Sequence, residues 1–243
     1  TATKLTRQLE SEGIEIHYTP NIDLIPKMVD LVIYTPAIPS DNEEYVYILN
    51  NNIPLKKRAQ VLGEISANKK CIAVAGSHGK TTTSGMIAYI LSKSSIGCSA
   101  FLGGIVKNFD NNFVLNTQSE YVVVEADEYD RSFLQLHPTY SIITATDPDH
   151  LDIYKTHDNL LSAFAQYGNQ TQKEGKLFIK QNVDLEIDES VKEIVTKSDT
   201  SIMSEKFEVI YNNGEVREFT VITESNTESQ NSSKLSSYIR RCS

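Results

Sequence analysis

Short apolar runs alternate with amphipathic stretches along most of the chain. Leu5 and Leu9 carry helical spacing that ends near Gly13, and Ile14–Tyr18 follows with the alternation of a strand. Leu24–Met28 reads as a short helix, Asp30–Tyr34 as a strand, Asn42–Asn50 as a helix, Ile53–Leu55 as a brief strand and Arg58–Ala67 as a helix. After the polar break Ser66–Lys70 the rhythm restarts with strand Cys71–Ala75, helix Thr81–Ser92, an extended run Gly97–Leu102 and a polar, hairpin-like stretch Asn108–Asn116. Strands Tyr121–Glu125 and Tyr140–Thr144 follow, then a helix from about Asp158 to Tyr167, a strand Gly175–Lys180 and a short helix Val191–Val195. Phe207–Tyr211 and Val216–Val221 flank Asn212-Asn213-Gly214, the composition of a tight hairpin turn. From Ser225 the chain is rich in Ser, Asn and Thr with no periodic apolar face, which predicts a disordered tail over 225–243.

This alternation predicts an α/β fold with a mainly parallel sheet and helices on both faces. In such sheets ligands bind beyond the carboxyl ends of the strands. The residues at those ends are therefore the candidates for chemistry. Cys71–Ala75 runs into Gly76-Ser77-His78-Gly79-Lys80-Thr81-Thr82-Thr83 and then into an apolar-periodic helix. Strand, glycine-bounded turn, Lys and hydroxyl at a helix start form the grammar of a phosphate loop, in which backbone N–H groups meet an anion and the Lys adds a mobile charge. The loop is a short form, because Val74 stands where the usual G-x-x-x-x-G-K-[ST] pattern has its first Gly. The fold class is thus α/β with a partial Rossmann-like N-terminal domain, residues 1–68, before a P-loop central domain, residues 69–224.

Phosphate chemistry needs a metal held by hard oxygen ligands. Thr81 supplies a hydroxyl directly after the Lys, and Glu125 ends a strand that would reach the same sheet edge, so the two form a candidate magnesium pair. Asp127, Glu128 and Asp130 crowd the loop after Glu125, where solvation or capping of the next turn is the expected fate of most. His150, in Asp147-Pro148-Asp149-His150-Leu151-Asp152, follows strand Tyr140–Thr144; a second metal or proton relay and a structural His behind a helix cap weigh equally. His78 either donates to phosphate or fills the turn. Lys80 stands at what reads as an exposed helix start, so its replacement is expected to leave the fold near intact. Tyr34–Pro39 follows a strand end as well; a crossover loop is its plain reading and an anion or sugar site the alternative.

Composition narrows the classes. A chain of 243 residues with 40% hydrophobic residues can bury one large or two modest cores. The net charge of −9 argues against a nucleic-acid partner that needs a broad basic surface, but not against a nucleotide. Cys71, Cys98 and Cys242 are too few and too scattered for a disulfide framework, which fits a reducing, cytoplasmic setting. No apolar run approaches the ~20 residues of a membrane helix, so no membrane partner is expected. The chain opens at Thr1 inside a helical pattern, and is expected to begin within a domain.

Three motifs in order, Gly76–Thr83, Glu125–Phe133 and Thr146–Tyr154, resemble the central-domain motifs of the Mur ligases, and Leu9–Pro54, with Tyr34–Pro39 and Pro54–Arg58 as landmarks, resembles the UDP-binding domain of that family. The resemblance implies an ATP-dependent amide ligase that joins L-alanine to UDP-N-acetylmuramate through an acyl phosphate. A ligase that takes a recycled murein tripeptide and a non-catalytic nucleotide-binding module are the alternatives. It implies ATP against Gly76, Ser77, His78, Gly79, Lys80, Thr81 and Thr82, with Lys80 on the β- and γ-phosphates. It further implies one magnesium ion on Thr81 and Glu125, a second on His150, and the UDP substrate against Thr35, Pro36 and Ala37; Lys80 and His150 are the catalytic candidates. Chains of this family are nearly twice as long, with a glycine-rich loop ahead and a third domain behind. Residues 1–243 are therefore expected to be a fragment with negligible ligase turnover alone.

Overall fold

The computed structural model describes residues 2–180, 183–192, 195–198, 204–210, 216–223 and 237–241. The chain divides into two compact units, 1–65 and 66–243.

In the first unit α1 (Lys4–Ser11) is capped by Thr3, whose hydroxyl accepts from the Thr6 N–H at 3.2 Å. Ile14–Tyr18 forms no strand. None of the described strands pairs with it, and the Tyr18 hydroxyl instead lies 3.1 Å from the Thr6 hydroxyl and from Glu10 Oε1, as a donor shared between them. The expected helix at Leu24–Met28 shrinks to a 3-10 turn, Ile22–Leu24. Ile25 precedes Pro26 and is driven to an extended conformation (ψ 122°), which stops the turn. Strand β1 (Val32–Tyr34) pairs in parallel with β2 (Leu55–Lys57), with Val32 opposite Leu55. Pro54 offers its carbonyl to the Val32 N–H but has no N–H of its own, so the pairing begins at Leu55, two residues later than the apolar pattern indicates. Between them α2 (Glu43–Asn50) starts at its Asn42 cap, and α3 (Arg58–Ala67) follows β2 directly.

The second unit is built on β3 (Lys70–Ala75), α4 (Lys80–Lys93), β4 (Ser99–Val106), β5 (Asn111–Val114), β6 (Tyr121–Glu125), a 3-10 stretch Tyr129–Gln135, β7 (Tyr140–Ile143), α5 (Leu151–Tyr154), α6 (His157–Asn169), β8 (Lys176–Lys180), α7 (Glu189–Lys192) and β9 (Val195–Ser198). Its sheet has the order β5-β4-β6-β3-β7-β8-β9, parallel throughout except for β4 with β5. Gly103 and Gly104 lie inside β4, and Val195 opens a strand, not the end of a helix. A second sheet, β10 (Ser204–Ile210), β11 (Val216–Thr223) and β12 (Ser237–Arg241), is antiparallel. The Asn212–Gly214 turn lies outside the described residues. Within the stretch expected to be a disordered tail, Ser237–Arg241 is a strand, in register with β11 so that Tyr238 is opposite Ile222 and Ile239 opposite Val221.

Both faces of the large sheet are covered, which is why β3 and β6 read as unbroken apolar runs. On one face Ala88, Cys98, Ala100, Leu102 and Val123 pack with Ile87 and Leu91 of α4. Elsewhere in the core Phe133, Leu160, Phe164 and Tyr167 are buried, Phe133 stacking on Tyr167 at 5.1 Å and meeting Phe164 edge-on at 5.5 Å. Each such side chain contributes about 1.5–3 kcal/mol by leaving water. The Tyr167 hydroxyl donates to the Ala73 carbonyl at 2.7 Å, tying α6 to the middle strand. The register places Val74 opposite Glu125 and Ala75 opposite Ile143, so the carboxyl ends of β6, β3 and β7 lie side by side. Among the described residues no helix is long and apolar enough to cross a membrane.

Candidate phosphate and metal site

The loop after β3 is shaped by the exit of β7. Gly76 has φ +137°, and a Cβ there would lie 2.8 Å from the Ala145 nitrogen, so only glycine fits. The Ser77 N–H donates to the Ala145 carbonyl at 3.0 Å and its hydroxyl to the Asp147 carbonyl at 2.7 Å. The Thr144 hydroxyl reaches the carbonyls of Ala75 and His78. Gly79, left-handed at φ +83°, is the N-cap of α4 and supplies no side chain. The helix thus starts with backbone N–H groups directed at the loop mouth, the arrangement that receives an anion. His78 is exposed, 4.0 Å from Asp147, and Thr82 is exposed on the first turn of α4.

Thr81 and Glu125 come together as the spacing predicts. The Thr81 hydroxyl donates to Glu125 Oε1 at 2.9 Å, while Glu125 Oε2 accepts from the Gly103 N–H at 2.7 Å. Gly103 has no side chain to push that carboxylate away: a Cβ would stand 2.6 Å from Glu125 Cδ.

Glu128 departs from expectation. It stands at the N-cap of the 3-10 stretch, yet its side chain neither caps that turn nor meets solvent: it is 0% exposed, and Oε1 accepts from Lys80 Nζ at 2.8 Å. Lys80 is correspondingly not an exposed helix-start residue, with 16% of its side chain accessible and a second bond to the Gly76 carbonyl at 2.8 Å. The local chain explains the inward turn. Asp127 takes the capping role, accepting from the Tyr129 N–H at 3.1 Å, and Asp130 and Arg131 both adopt left-handed φ (51° and 55°), folding the backbone back. The Glu128 carbonyl then accepts from the Tyr154 hydroxyl at 2.6 Å and the Arg131 N–H at 3.0 Å. Burial pushes the Tyr154 hydroxyl up to about 12, offset in part by Arg131 and reinforced by the carboxylates Glu128, Asp127 and Asp130, so it stays a proton donor.

His150 sits at the N-cap of α5 with φ +52°, and Asp149 serves the turn by accepting the His150 N–H at 2.8 Å. The imidazole is thereby turned inward: Nε2 lies 3.7 Å from Glu128 Oε1 and 3.8 Å from Asp149 Oδ2, with the ring edge-on to Tyr129 at 5.5 Å. One donor atom each of Glu128, Asp149 and His150 falls within 4.8 Å of the others. Glu128 Oε2 is buried without a hydrogen-bond partner among the described residues. Two hard carboxylates, an imidazole and an unsatisfied buried oxygen fit a small divalent cation.

Sequence reasoning missed Glu128, Asp149 and Gly103. A Lys enclosed by a short loop needs an anion, and the carboxylate three residues past the strand end is the one that signal points to. Thr35, Pro36 and Ala37 belong to the first unit, where they form an exposed turn after β1 closed by the Ile38 N–H on the Thr35 carbonyl at 3.2 Å.

A mostly parallel sheet with a glycine-bounded loop ahead of a helix, a hydroxyl–carboxylate pair and an inward histidine at the same sheet edge defines an α/β protein of the P-loop type. The profile of the Mur ligase middle domain matches residues 74–237, and that described as the Mur ligase family catalytic domain matches residues 1–70. The chain belongs to the Mur ligase family. The UDP-N-acetylmuramate–L-alanine ligase of Phocaeicola vulgatus is 47% identical over 191 residues, covering 76% of this chain and 42% of that protein. The ligase of the same name from Porphyromonas gingivalis is 45% identical over 185 residues, 74% of this chain and 41% of the other. The chain therefore spans about two fifths of the length of these curated relatives. Among solved structures, UDP-N-acetylmuramate-alanine ligase from Thermotoga maritima superposes with a TM-score of 0.69 at 25% identity, over 95% of this chain and 52% of that one. The UDP-N-acetylmuramate:L-alanyl-γ-D-glutamyl-meso-diaminopimelate ligase from Neisseria meningitides shares the fold, with a TM-score of 0.72 at 21% identity over 91% and 74% of the two chains.

Proposed function

We propose that this chain carries the nucleotide site of a cytoplasmic ATP-dependent ligase that joins L-alanine to UDP-N-acetylmuramate in peptidoglycan precursor synthesis. The observation that supports it best is the convergence of Lys80, Thr81, Glu125 and His150 on three adjoining strand ends, in a chain 47% identical to a protein of that name. In this reading residues 69–224 bind ATP and residues 1–68 contribute to the UDP-substrate site through Thr35, Pro36 and Ala37.

The chemistry requires two anions to be held together while charge moves onto a leaving phosphate. A carboxylate oxygen of the muramate attacks the γ-phosphorus and ADP leaves. The amine of L-alanine then attacks the acyl carbon, phosphate departs, and the nitrogen loses a proton. Gly76, Ser77, His78 and Gly79 let the backbone approach the polyphosphate, Lys80 neutralises its β- and γ-oxygens, and Thr82 extends the rim of the helix start. Thr81 with Glu125, and His150 beside Glu128 and Asp149, would hold magnesium. Bound there, magnesium draws electron density from the γ-phosphate and offsets the charge of the incoming carboxylate.

Calorimetric titration of the chain with magnesium–ATP, beside Lys80→Ala, tests the assignment: sharply weaker binding in the variant is expected, and equal affinity refutes the phosphate loop. The acceptor is tested by ADP release with UDP-N-acetylmuramate and either L-alanine or the murein tripeptide. Turnover is expected with L-alanine in a chain of the relatives' length and negligible turnover from residues 1–243 alone.

A further inference from the structure

We propose that Glu128 is a latch on the phosphate-loop lysine, one that makes polyphosphate binding depend on a divalent cation. The inference rests on the nucleotide-site reading above and adds to it a carboxylate that must surrender Lys80 before phosphate can take it.

No atom of the Glu128 side chain is exposed to water. Its side chain is fully buried, its carbonyl is held by Tyr154 and Arg131, and the left-handed pair Asp130 and Arg131 fixes the turn that points it inward. A buried carboxylate is costly unless paired, and Lys80 is the cation that pairs it, at 2.8 Å. Lys80 Nζ has three protons, of which one goes to Glu128 and one to the Gly76 carbonyl. A phosphate oxygen at the loop mouth meets the third proton and draws the ammonium outward, and each step Lys80 takes toward it leaves Glu128 less compensated. Glu128 Oε2 already lacks a hydrogen-bond partner among the described residues, so the loss of Lys80 would leave both oxygens uncompensated.

What can take the place of Lys80 is a cation arriving from the other side. His150 Nε2 is 3.7 Å from the same Oε1, and Asp149 completes a group of donors within 4.8 Å. A divalent cation among them restores the charge balance that Lys80 removes when it turns to phosphate. Polyphosphate without the cation must break the Lys80–Glu128 pair unaided; polyphosphate with it exchanges one partner for another. The two ligands are therefore coupled through a single side chain, and each must favour the other to the same extent.

The test is ATP binding by the 243-residue chain, measured by calorimetry with magnesium and with EDTA, in the wild type, Glu128→Gln and Asp147→Asn. Gln keeps an acceptor for Lys80 but removes the charge that holds it. In EDTA Glu128→Gln is expected to bind ATP at least ~10-fold more tightly than wild type, the factor equivalent to about 1.4 kcal/mol. The enhancement by magnesium should shrink by a similar factor. Asp147→Asn removes one exposed negative charge beside the loop without touching Lys80, and is expected to change affinity less than about threefold. Equal metal-free affinity in wild type and Glu128→Gln overturns the latch, as does an equal gain in Asp147→Asn, which would assign the effect to net charge. Failure of the wild type to bind ATP with or without magnesium refutes the nucleotide-site reading itself, and the latch with it. Should Glu128→Gln not fold, the wild type still decides the matter by NMR. A correlation between the Lys80 ammonium nitrogen and the Glu128 carboxyl carbon is expected in the free chain and should vanish on adding magnesium–ATP; its persistence overturns the latch.

Discussion

Gly103→Ala asks whether a missing side chain holds the Thr81–Glu125 pair together. The new Cβ would stand 2.6 Å from Glu125 Cδ and 2.8 Å from Oε2, well inside the 3.4 Å at which ordinary contact begins, so the carboxylate must retreat. The far end of a flexible side chain is what yields. Gly103 has no left-handed φ that alanine would resist, and the strand and fold should therefore persist. The retreat breaks two bonds to one carboxylate: Thr81 at 2.9 Å and the Gly103 N–H at 2.7 Å. Hydrogen bonds to charged groups are worth about 1.5–3 kcal/mol, but Gly103 is exposed and Glu125 only half-buried, so water recovers part of the loss. A net weakening of about 1–2 kcal/mol, or about 5–30-fold, is expected in magnesium-dependent ATP affinity. The assay is a magnesium titration of ATP binding by calorimetry, with a thermal melt followed by circular dichroism as the control for folding. Gly103→Ala combined with Glu125→Asp, whose shorter side chain clears the new methyl, should recover part of the affinity lost in the single variant. Binding within about twofold of wild type in a normally folded Gly103→Ala would refute the idea that this backbone contact sets the carboxylate.

Two further outcomes concern stability. Lys80→Met strands the buried Glu128 carboxylate and should cost about 3 kcal/mol in urea unfolding, the lower end for a broken buried pair because Lys80 keeps some exposure; adding Glu128→Gln should restore most of it, and additive losses would show that the pair is not coupled. Burial pushes the Cys71 thiol up to about 12 and the Cys98 thiol to about 11, from 9.0. Both folded values lie above the unfolded one, so below pH 9 the thiols contribute no pH dependence, while above it the unfolded chain loses protons that the folded chain keeps. Between about pH 9 and 10 unfolding free energy should therefore fall by about 1 kcal/mol for each thiol, the slope steepening as the unfolded thiol deprotonates, read from urea melts, and Cys71→Ala with Cys98→Ala should flatten it. At neutral pH both thiols should resist iodoacetamide until the chain unfolds, as peptide mapping would show.

The elements legible in the sequence are those whose own residues decide the outcome. β3 and β6 carry buried apolar runs that admit few other readings, and β7 alternates buried and half-buried positions; α3 and α6 carry helical spacing over ten and thirteen residues. Ile14–Tyr18 has the alternation of a strand, but a strand also needs a partner, and none of the described strands pairs with it. Ser237–Arg241 is the converse: a segment of weak pattern becomes a strand because β11 presents an open edge to it. Pattern reports what a segment offers and is silent on whether a neighbour accepts it.

The site divides along the same line. His150 lies well past the end of β7, and its inward turn rests on a left-handed φ and on Asp149, so the sequence leaves it even with a structural role. Thr81 and Glu125 were readable as neighbours because the exits of β3 and β6 open on one sheet edge. Glu128 was not, since four carboxylates within six residues look alike until the backbone turns one of them inward. That turn depends on left-handed φ at Asp130 and Arg131 and on a hydroxyl donated from Tyr154 in a later helix. The consequence is chemical as well as structural. Glu125 and Glu128 lie three residues apart, yet one is held at the half-open edge by a hydroxyl and a backbone N–H, and the other is sealed against the loop lysine. Glu125 and Glu128 are thus each engaged by a protein donor through at least one oxygen. Binding of phosphate and cation must therefore proceed by exchange of partners, and the affinity of the site is set by how readily Lys80 and Thr81 are released, as much as by what they meet.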